Sequence, residues 1–432
     1  MTPIRETAHR TFHSLLHGRT FRRFYAGQAI SLTGTWIHQI ASAWLVLQLT
    51  RSGVALGIQA ALSFTPILVF GAWGGIVADR FDRRRVLLAT QSAFAVLALT
   101  LGVLTVSGAI DLWMVYAISL VQGLVTAVDN PTRQSFYADM VRPKDLPNAV
   151  SLNSAIVTGT RIVGPALAGI LIATVGIGPC FLINGVSYLA VIGSLHLIRR
   201  EVSMREADTG SQGSVMDGIR YVRRTPDLLR PLILMGVLFL FSFNFSVLLP
   251  LLAQDAFGGG AGTFGAMMSL IGVGSLAGAL LLAHRPRPGM KFLGASAIAF
   301  GVFSIALAWA PGMDIADVAL VPLGVASIAF MVTANSTLQV RADPAMRGRV
   351  MSLFSVVFLG STPIGAPLAG WTAELFGPRM AFSMGGLVAV VAGAVALRSV
   401  LGGLDAPSTW VSARNEARIE SDEQDEPSEL VA

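Results

Sequence analysis

The sequence predicts an all-α membrane protein of twelve transmembrane helices arranged as two pseudo-symmetric six-helix bundles. Three observations carry that prediction. Of 432 residues, 53% are hydrophobic and 13% charged, about half the charged share of an ordinary soluble domain. The apolar residues come in long blocks rather than at a period of 3.6 or 2, and blocks above about 18 residues read as membrane spans. Finally, the two halves of the chain repeat one another.

Spans are expected near 24–49, 54–78, 86–106, 112–137, 147–173, 178–198, 230–252, 263–283, 291–310, 316–340, 346–372 and 379–399. The 31 Lys and Arg test the count, because the positive-inside bias of short loops is independent of the apolar blocks. With both termini on the cytoplasmic side of a cell (inner) membrane, Arg51 and Arg379 lie outside and Arg133 and Arg161 lie within spans. Every other basic residue is then cytoplasmic, and an odd number of spans would scramble that partition. The 45 Gly and 20 Pro also suit membrane helices, where Gly permits close helix approach. Residues 1–23 form a cytoplasmic segment without the apolar core of a signal peptide, so the first span is expected to serve as its own insertion signal.

Residues 24–198 make the first bundle and 230–400 the second. Between them, 199–229 is a cytoplasmic linker whose end, "MDGIRYVRRTP", predicts a short amphipathic helix along the membrane face. The tail 401–432 is acidic and expected to be disordered. The repeat aligns "SLNSAIVTGTRIVGPALAGILIATVGIGPCF" from Ser151 with "SLFSVVFLGSTPIGAPLAGWTAELFGPRMAF" from Ser352, pairing Gly159/Gly360, Gly164/Gly365, Gly169/Gly370 and Gly176/Gly377. Twofold repetition of this kind belongs to transporters whose bundles rock about a central site. The membrane enzyme class has no need of it.

Several classes of chemistry are excluded by what is absent. Neither Lys144 nor Lys291 follows a Gly, so the phosphate cradle of an ATP-driven pump is missing. No metal site or cofactor is expected: Cys180 stands alone and reads as a packing residue, and His9, His13 and His17 without acids or further Cys are a weak ligand signal. The net charge of +6 is a topology signal and not a nucleic-acid footprint.

The charged turn "GGIVADRFDRRR" after the second span resembles the G-x-x-x-D-R-x-x-R-R signature of the major facilitator superfamily, with Gly75, Asp79, Arg80, Arg83 and Arg84 at the matching positions. The resemblance implies a latch in which Asp79 faces the N-terminus of the eleventh span, near Met346 to Arg349, where unpaired N–H groups favour a carboxylate. Arg83 would then pair with Asp79 and with a carboxylate of the fourth span, Asp129 or Asp139. For Arg84 a purely topological role also fits. In "DNPTRQ", Asp129 and Arg133 stand at i and i+4, the spacing of a local ion pair.

In the fifth span "GTRIVGPALAG" resembles the antiporter motif of exporters in that superfamily through Gly159, Gly164, Pro165 and Gly169, with Ala168 departing from its closing Gly pair. A direction-setting role and a simple packing face both fit. Arg161, near mid-span, costs about 3 kcal/mol unless it meets a cavity or a partner, and is expected to line the central path. His38 is a candidate titrating group in the first span. Trp36, Gln39, Asn153, Asn244 and Asn335 are further candidates for the cavity wall, together with Trp44, Asn184 and Phe245.

"GQAISLTGTWIHQIASAWLVLQLTRSG", "DNPTRQSFYADMVRPKDLPNAVSLNSAI" and "RADPAMRGRVMSLF" are similar to the branch of the superfamily that contains the enterobactin exporter and macrolide efflux proteins. That similarity implies a monomeric, proton-coupled exporter of amphipathic small molecules such as drugs or siderophores. A lipid translocator of the same fold and a non-transporting membrane receptor are the alternatives.

Overall fold

The computed structural model describes residues 19–140, 146–197, 215–283 and 289–401. The three N-terminal His, Lys144, the first part of the linker and the acidic tail lie outside the described residues. Within them, the first half consists of α1 Arg19–Thr50, α2 Gly53–Arg80, α3 Arg83–Val106, α4 Leu112–Met140, α5 Leu146–Val175 and α6 Ile177–Leu197. A short helix α7, Val215–Arg224, follows in the linker. The seventh span is α8 Pro226–Phe241 and α9 Phe245–Leu251 with a π turn Leu252–Ala256. Then come α10 Ala261–Ala283, α11 Met290–Ala308, α12 Met313–Arg341, the eleventh span as α13 Arg347–Gly360 and α14 Thr362–Phe376, and α15 Pro378–Leu401.

Among the described residues, eleven segments are long and apolar enough to cross a membrane. The twelfth is α1, which carries Gln28, His38 and Gln39 and still packs on α5 and α6 within its half. The two halves repeat each other's packing. In the first, α2 lies on α4 and α3 on α6; in the second, α10 lies on α12 and α11 on α15. The halves meet chiefly through α2 against α14 and α5 against α10, and the internal twofold relates one of these contacts to the other.

The repeated glycines explain the alignment. Gly176 and Gly377 are the turns before the sixth and twelfth spans and have φ of +88° and +82°, a region where a Cβ is strained. Gly164 meets the Trp36 side chain of the first span, while its repeat mate Gly365 meets the Leu240 backbone of the seventh. Each therefore lets the fifth or eleventh span close on the helix that opens its own bundle. Gly169 and Gly370 act between the halves, against Gly262 and Gly53.

Two spans are broken where an unbroken helix was expected. In the seventh, Ser242 Oγ donates to the Gly385 carbonyl at 2.7 Å and Asn244 Nδ2 to the Leu240 carbonyl at 3.0 Å. These side chains take over backbone duties, so the chain can unwind between α8 and α9. In the eleventh, Pro363 stands two residues after Ser361 and has no N–H with which to continue the hydrogen-bond ladder. The seventh span also starts at Pro226 rather than near 230, because Pro in the first helical turn has no N–H to lose.

Candidate functional site

Between the halves runs a cleft whose two ends differ. At one end Glu374, in the last turn of α14, reaches across to the start of α2. Its Oε1 accepts from the Ser52 hydroxyl and, at 3.1 Å, from the Val54 N–H. Ser52 also accepts from the Ala55 N–H at 3.1 Å as the N-cap of α2. The carboxylate thus satisfies an orphan donor of a helix that belongs to the other half. The helices behind it lie backbone to backbone: a Cβ on Gly53 would sit 2.7 Å from the Gly370 carbonyl oxygen, and one on Gly57 2.6 Å from Pro367 Cα. On the opposite face of the cleft, Ser269 Oγ donates to the Ile162 carbonyl at 2.9 Å and a Cβ on Gly265 would meet the Pro165 carbonyl.

Toward the other end the same helices separate. Gly71 and Gly75 on α2, Gly159 on α5 and Gly348 on α13 have no neighbour within 4 Å of a Cβ position. Asp79 is 56% exposed there and its partner is Arg83, at 3.8 Å. Arg83 is buried; it donates to Asp139 at 2.6 Å and to the Ala78 carbonyl at 3.3 Å. Of the two carboxylates left open by the sequence, Asp139 is the one it meets. Arg84 donates to the Leu195 carbonyl at 2.7 Å and so closes the end of α6. Asp82, which the signature left unassigned, accepts from the N–H groups of Arg84 and Arg85 and caps α3.

Asp129 is engaged elsewhere. It is 1% exposed and bonds Arg133, the Thr90 hydroxyl at 2.6 Å and Gln91 Nε2 at 2.8 Å. His38 is likewise inside the first half, with Nε2 3.0 Å from Gln122 Nε2, Phe181 edge-on at 5.0 Å, and a buried Nδ1 without a partner among the described residues. Gln39 is exposed, whereas Trp36 and Asn153 are half-buried. Asn244 belongs to the helix break, and Asn335 accepts from Gln339 at 2.6 Å on its own helix.

Arg161 occupies the level at which the cleft begins to open. It borders a pocket of about 180 Å³ with Phe64, Ser275, Ser327, Phe239, Phe243, Phe245 and Phe358. No described residue forms a hydrogen bond or ion pair with it. The break between α8 and α9 is what brings Phe243 and Phe245 to one side. Two positions along an intact helix face directions about 200° apart, yet both rings join one cluster. Phe243 stacks on Phe300 at 4.4 Å and on Phe239 at 4.6 Å, Phe245 is 5.9 Å from Phe300, and Phe358 meets Phe239 edge-on at 4.8 Å. Sequence reasoning missed Phe239, Phe243, Phe358 and Glu374. The run "FLFSFNFS", in which Ser and Asn interrupt alternating Phe, was the available signal for two of them.

Two bundles of six, closed on each other at one end around an interfacial pocket, define a transporter of the major facilitator superfamily. Within it, residues 11–426 match the family described as transmembrane secretion effectors, and the chain belongs to that family. It is 26% identical to the staphyloferrin A transporter of Staphylococcus aureus, over 84% of this chain and 92% of that one. It is 23% identical to macrolide efflux protein A of Streptococcus pyogenes (86% and 93%) and 24% identical to the enterobactin exporter of Shigella flexneri (87% and 90%). A bacterial homologue of the human lysosomal transporter Spinster superposes with a TM-score of 0.73 at 14% identity, covering 90% of this chain and 98% of that structure.

Proposed function

We propose that this chain exports amphipathic small molecules, of the kind represented by drugs and siderophores, across a bacterial inner membrane by alternating access. The observation that supports this best is the cleft: sealed between α2 and α14 at the Glu374 end, parted at the Asp79 end, with an aromatic pocket between and Arg161, which no described residue answers, on its border. Described basic residues crowd the Asp79 end, while Arg51 and Arg379 stand at the other, which supports a cytoplasmic opening and cytoplasmic termini. Arg379 has local employment, donating to the carbonyls of Ala308, Ala310 and Ala256. The names of the relatives, among them an enterobactin exporter and a macrolide efflux protein, support the outward direction.

Coupling to the proton gradient is part of this proposal, and His38, buried in the first half beside Gln122, is its candidate carrier because an imidazole changes charge near neutral pH. Asp79, exposed while the cleft is parted, is the latch that meets the start of α13 when that end closes. Everted vesicles containing this chain, given a panel of fluorescent amphiphiles and then energised or uncoupled, test the reading. Uncoupler-sensitive uptake is expected. Uptake indifferent to uncoupler removes the proton step, and no uptake of any amphiphile removes the exporter. Asp79→Asn should abolish uptake without lowering the amount of protein in the membrane.

A further inference from the structure

We propose that the interfacial pocket selects amphipathic monoanions, with the guanidinium of Arg161 taking the carboxylate or sulfonate and the Phe239–Phe243–Phe358 wall taking an apolar ring system. The assignment rests on the cleft being the transport path. Three features of the pocket lead to it.

The first is charge without a counter-ion. Arg161 is carried at mid-span and has no hydrogen-bond or ion-pair partner among the described residues. Two other guanidinium groups held inside the first half are answered by acids: Arg83 by Asp139 and Arg133 by Asp129. Among the residues lining the pocket there is no Asp, Glu or His. An unanswered cation at membrane depth is unfavourable, and an anionic ligand supplies what the fold omits. A planar guanidinium also presents paired N–H groups that match a carboxylate or sulfonate. A cationic ligand would add like charge to a site that already lacks compensation.

The second is that two of the three neutral polar side chains in the lining are already committed. Ser275 Oγ donates to the Gly324 carbonyl at 3.3 Å and Ser327 Oγ to the Leu323 carbonyl at 2.7 Å. Their protons are unavailable to a ligand, which leaves the Thr362 hydroxyl and Arg161 for polar recognition, and of these Arg161 alone carries charge. One cation fits one anionic group, and a second negative charge would remain uncompensated.

The third is the division of labour between halves. Arg161 belongs to α5 of the first half, where the Gly272 position abuts its carbonyl across the cleft. The ring wall belongs to the second half and is held by its own stacking, Phe243 against Phe300 and Phe239. A ligand with a charged head and an aromatic body therefore bridges the two halves, and a ligand with only one of these features engages one half alone.

The test uses three probes with one fluorophore: dansylglycine (anion), dansylamide (neutral) and dansylcadaverine (cation), titrated against the purified full-length protein in detergent with an empty-micelle blank. Dansylglycine is expected to bind at least about tenfold more tightly than dansylamide, and dansylcadaverine more weakly than either. Arg161→Gln should lower dansylglycine affinity at least about tenfold and erase the charge order, while Arg161→Lys retains part of it; thermal unfolding of both variants, unchanged from wild type, shows that they are folded. An Arg161→Gln protein that keeps the anion preference, equal affinity for all three probes, or binding of none overturns the assignment. Everted-vesicle uptake of the same probes separates the two readings. Charge-ordered binding without movement removes the exporter and leaves the anion site standing, whereas movement of all three alike removes the anion site and leaves the exporter.

Discussion

The two halves share a backbone plan and differ in what they bury. The first half, α1 to α6, buries charge and polarity: Asp129 with Arg133, Thr90 and Gln91, Arg83 with Asp139, and His38 with Gln122. The second half buries rings, with Phe239, Phe243, Phe245, Phe300, Phe330, Phe358 and Phe382 in one connected cluster. Its described inter-helix ion pair is Arg341 with Asp227 at 3.4 Å, near the end of α12. Hydrogen-bonded charge admits few arrangements, since each partner lost leaves an unsatisfied group at membrane depth. Stacked rings tolerate sliding at modest cost. The difference assigns a stiff polar frame to one side of the cleft and an adaptable apolar wall to the other.

The largest effect is expected from breaking the frame. Asp129→Asn strands Arg133 and should cost about 3–5 kcal/mol, seen as a large fall in thermal unfolding temperature in detergent. Adding Arg133→Gln should restore more than half of that loss. The same change at Asp227, in the second half, should cost less, because that pair lies at the end of α12 and its guanidinium is 24% exposed. If Asp129→Asn and Asp227→Asn cost the same, the contrast between the halves is wrong. Next in size is Phe243→Ala, which removes two stacked neighbours and should cost about 2 kcal/mol, below the cost at a fully buried Phe because Phe243 is half-buried, with Phe243→Leu recovering part of it. A loss that Leu does not reduce would mean that the wall is as stiff as the frame.

Glu374→Gln should have the smallest effect on stability, below about 1 kcal/mol, since it weakens hydrogen bonds at an exposed helix start without burying charge. Its readout is conformational. Cysteines placed near Gly57 and Ala366 should become accessible to a membrane-impermeant thiol reagent from the Glu374 side more often than in wild type. Unchanged accessibility would reduce Glu374 to a surface residue.

Much of the fold was legible in the sequence because membrane insertion is read locally. Long apolar blocks, basic turns and the glycine repeat locate helices without knowledge of their neighbours, and α1 through α6 lie within a few residues of the expected spans. Arg161 was legible for a related reason: a charge at mid-span is conspicuous whatever surrounds it. The choice between Asp129 and Asp139 for Arg83 was not, because it depends on how far α3 is rotated against α4. The ring wall was hidden as well, since Phe is ordinary in a membrane helix and only a broken helix turns Phe243 and Phe245 to the same side.

The sequence by itself determined the class: a chain so apolar, with its cations sorted to one side and its halves repeating, can only satisfy its backbone as paired bundles of membrane helices. Only the tertiary structure decided which end of the cleft is sealed, which acid answers which arginine, and which cation is left unanswered. Those outcomes turn on contacts between residues hundreds of positions apart, such as Ser52 with Glu374. Hydrophobic periodicity carries no record of them, because a helix reports which of its residues are apolar and never which partner will cover them.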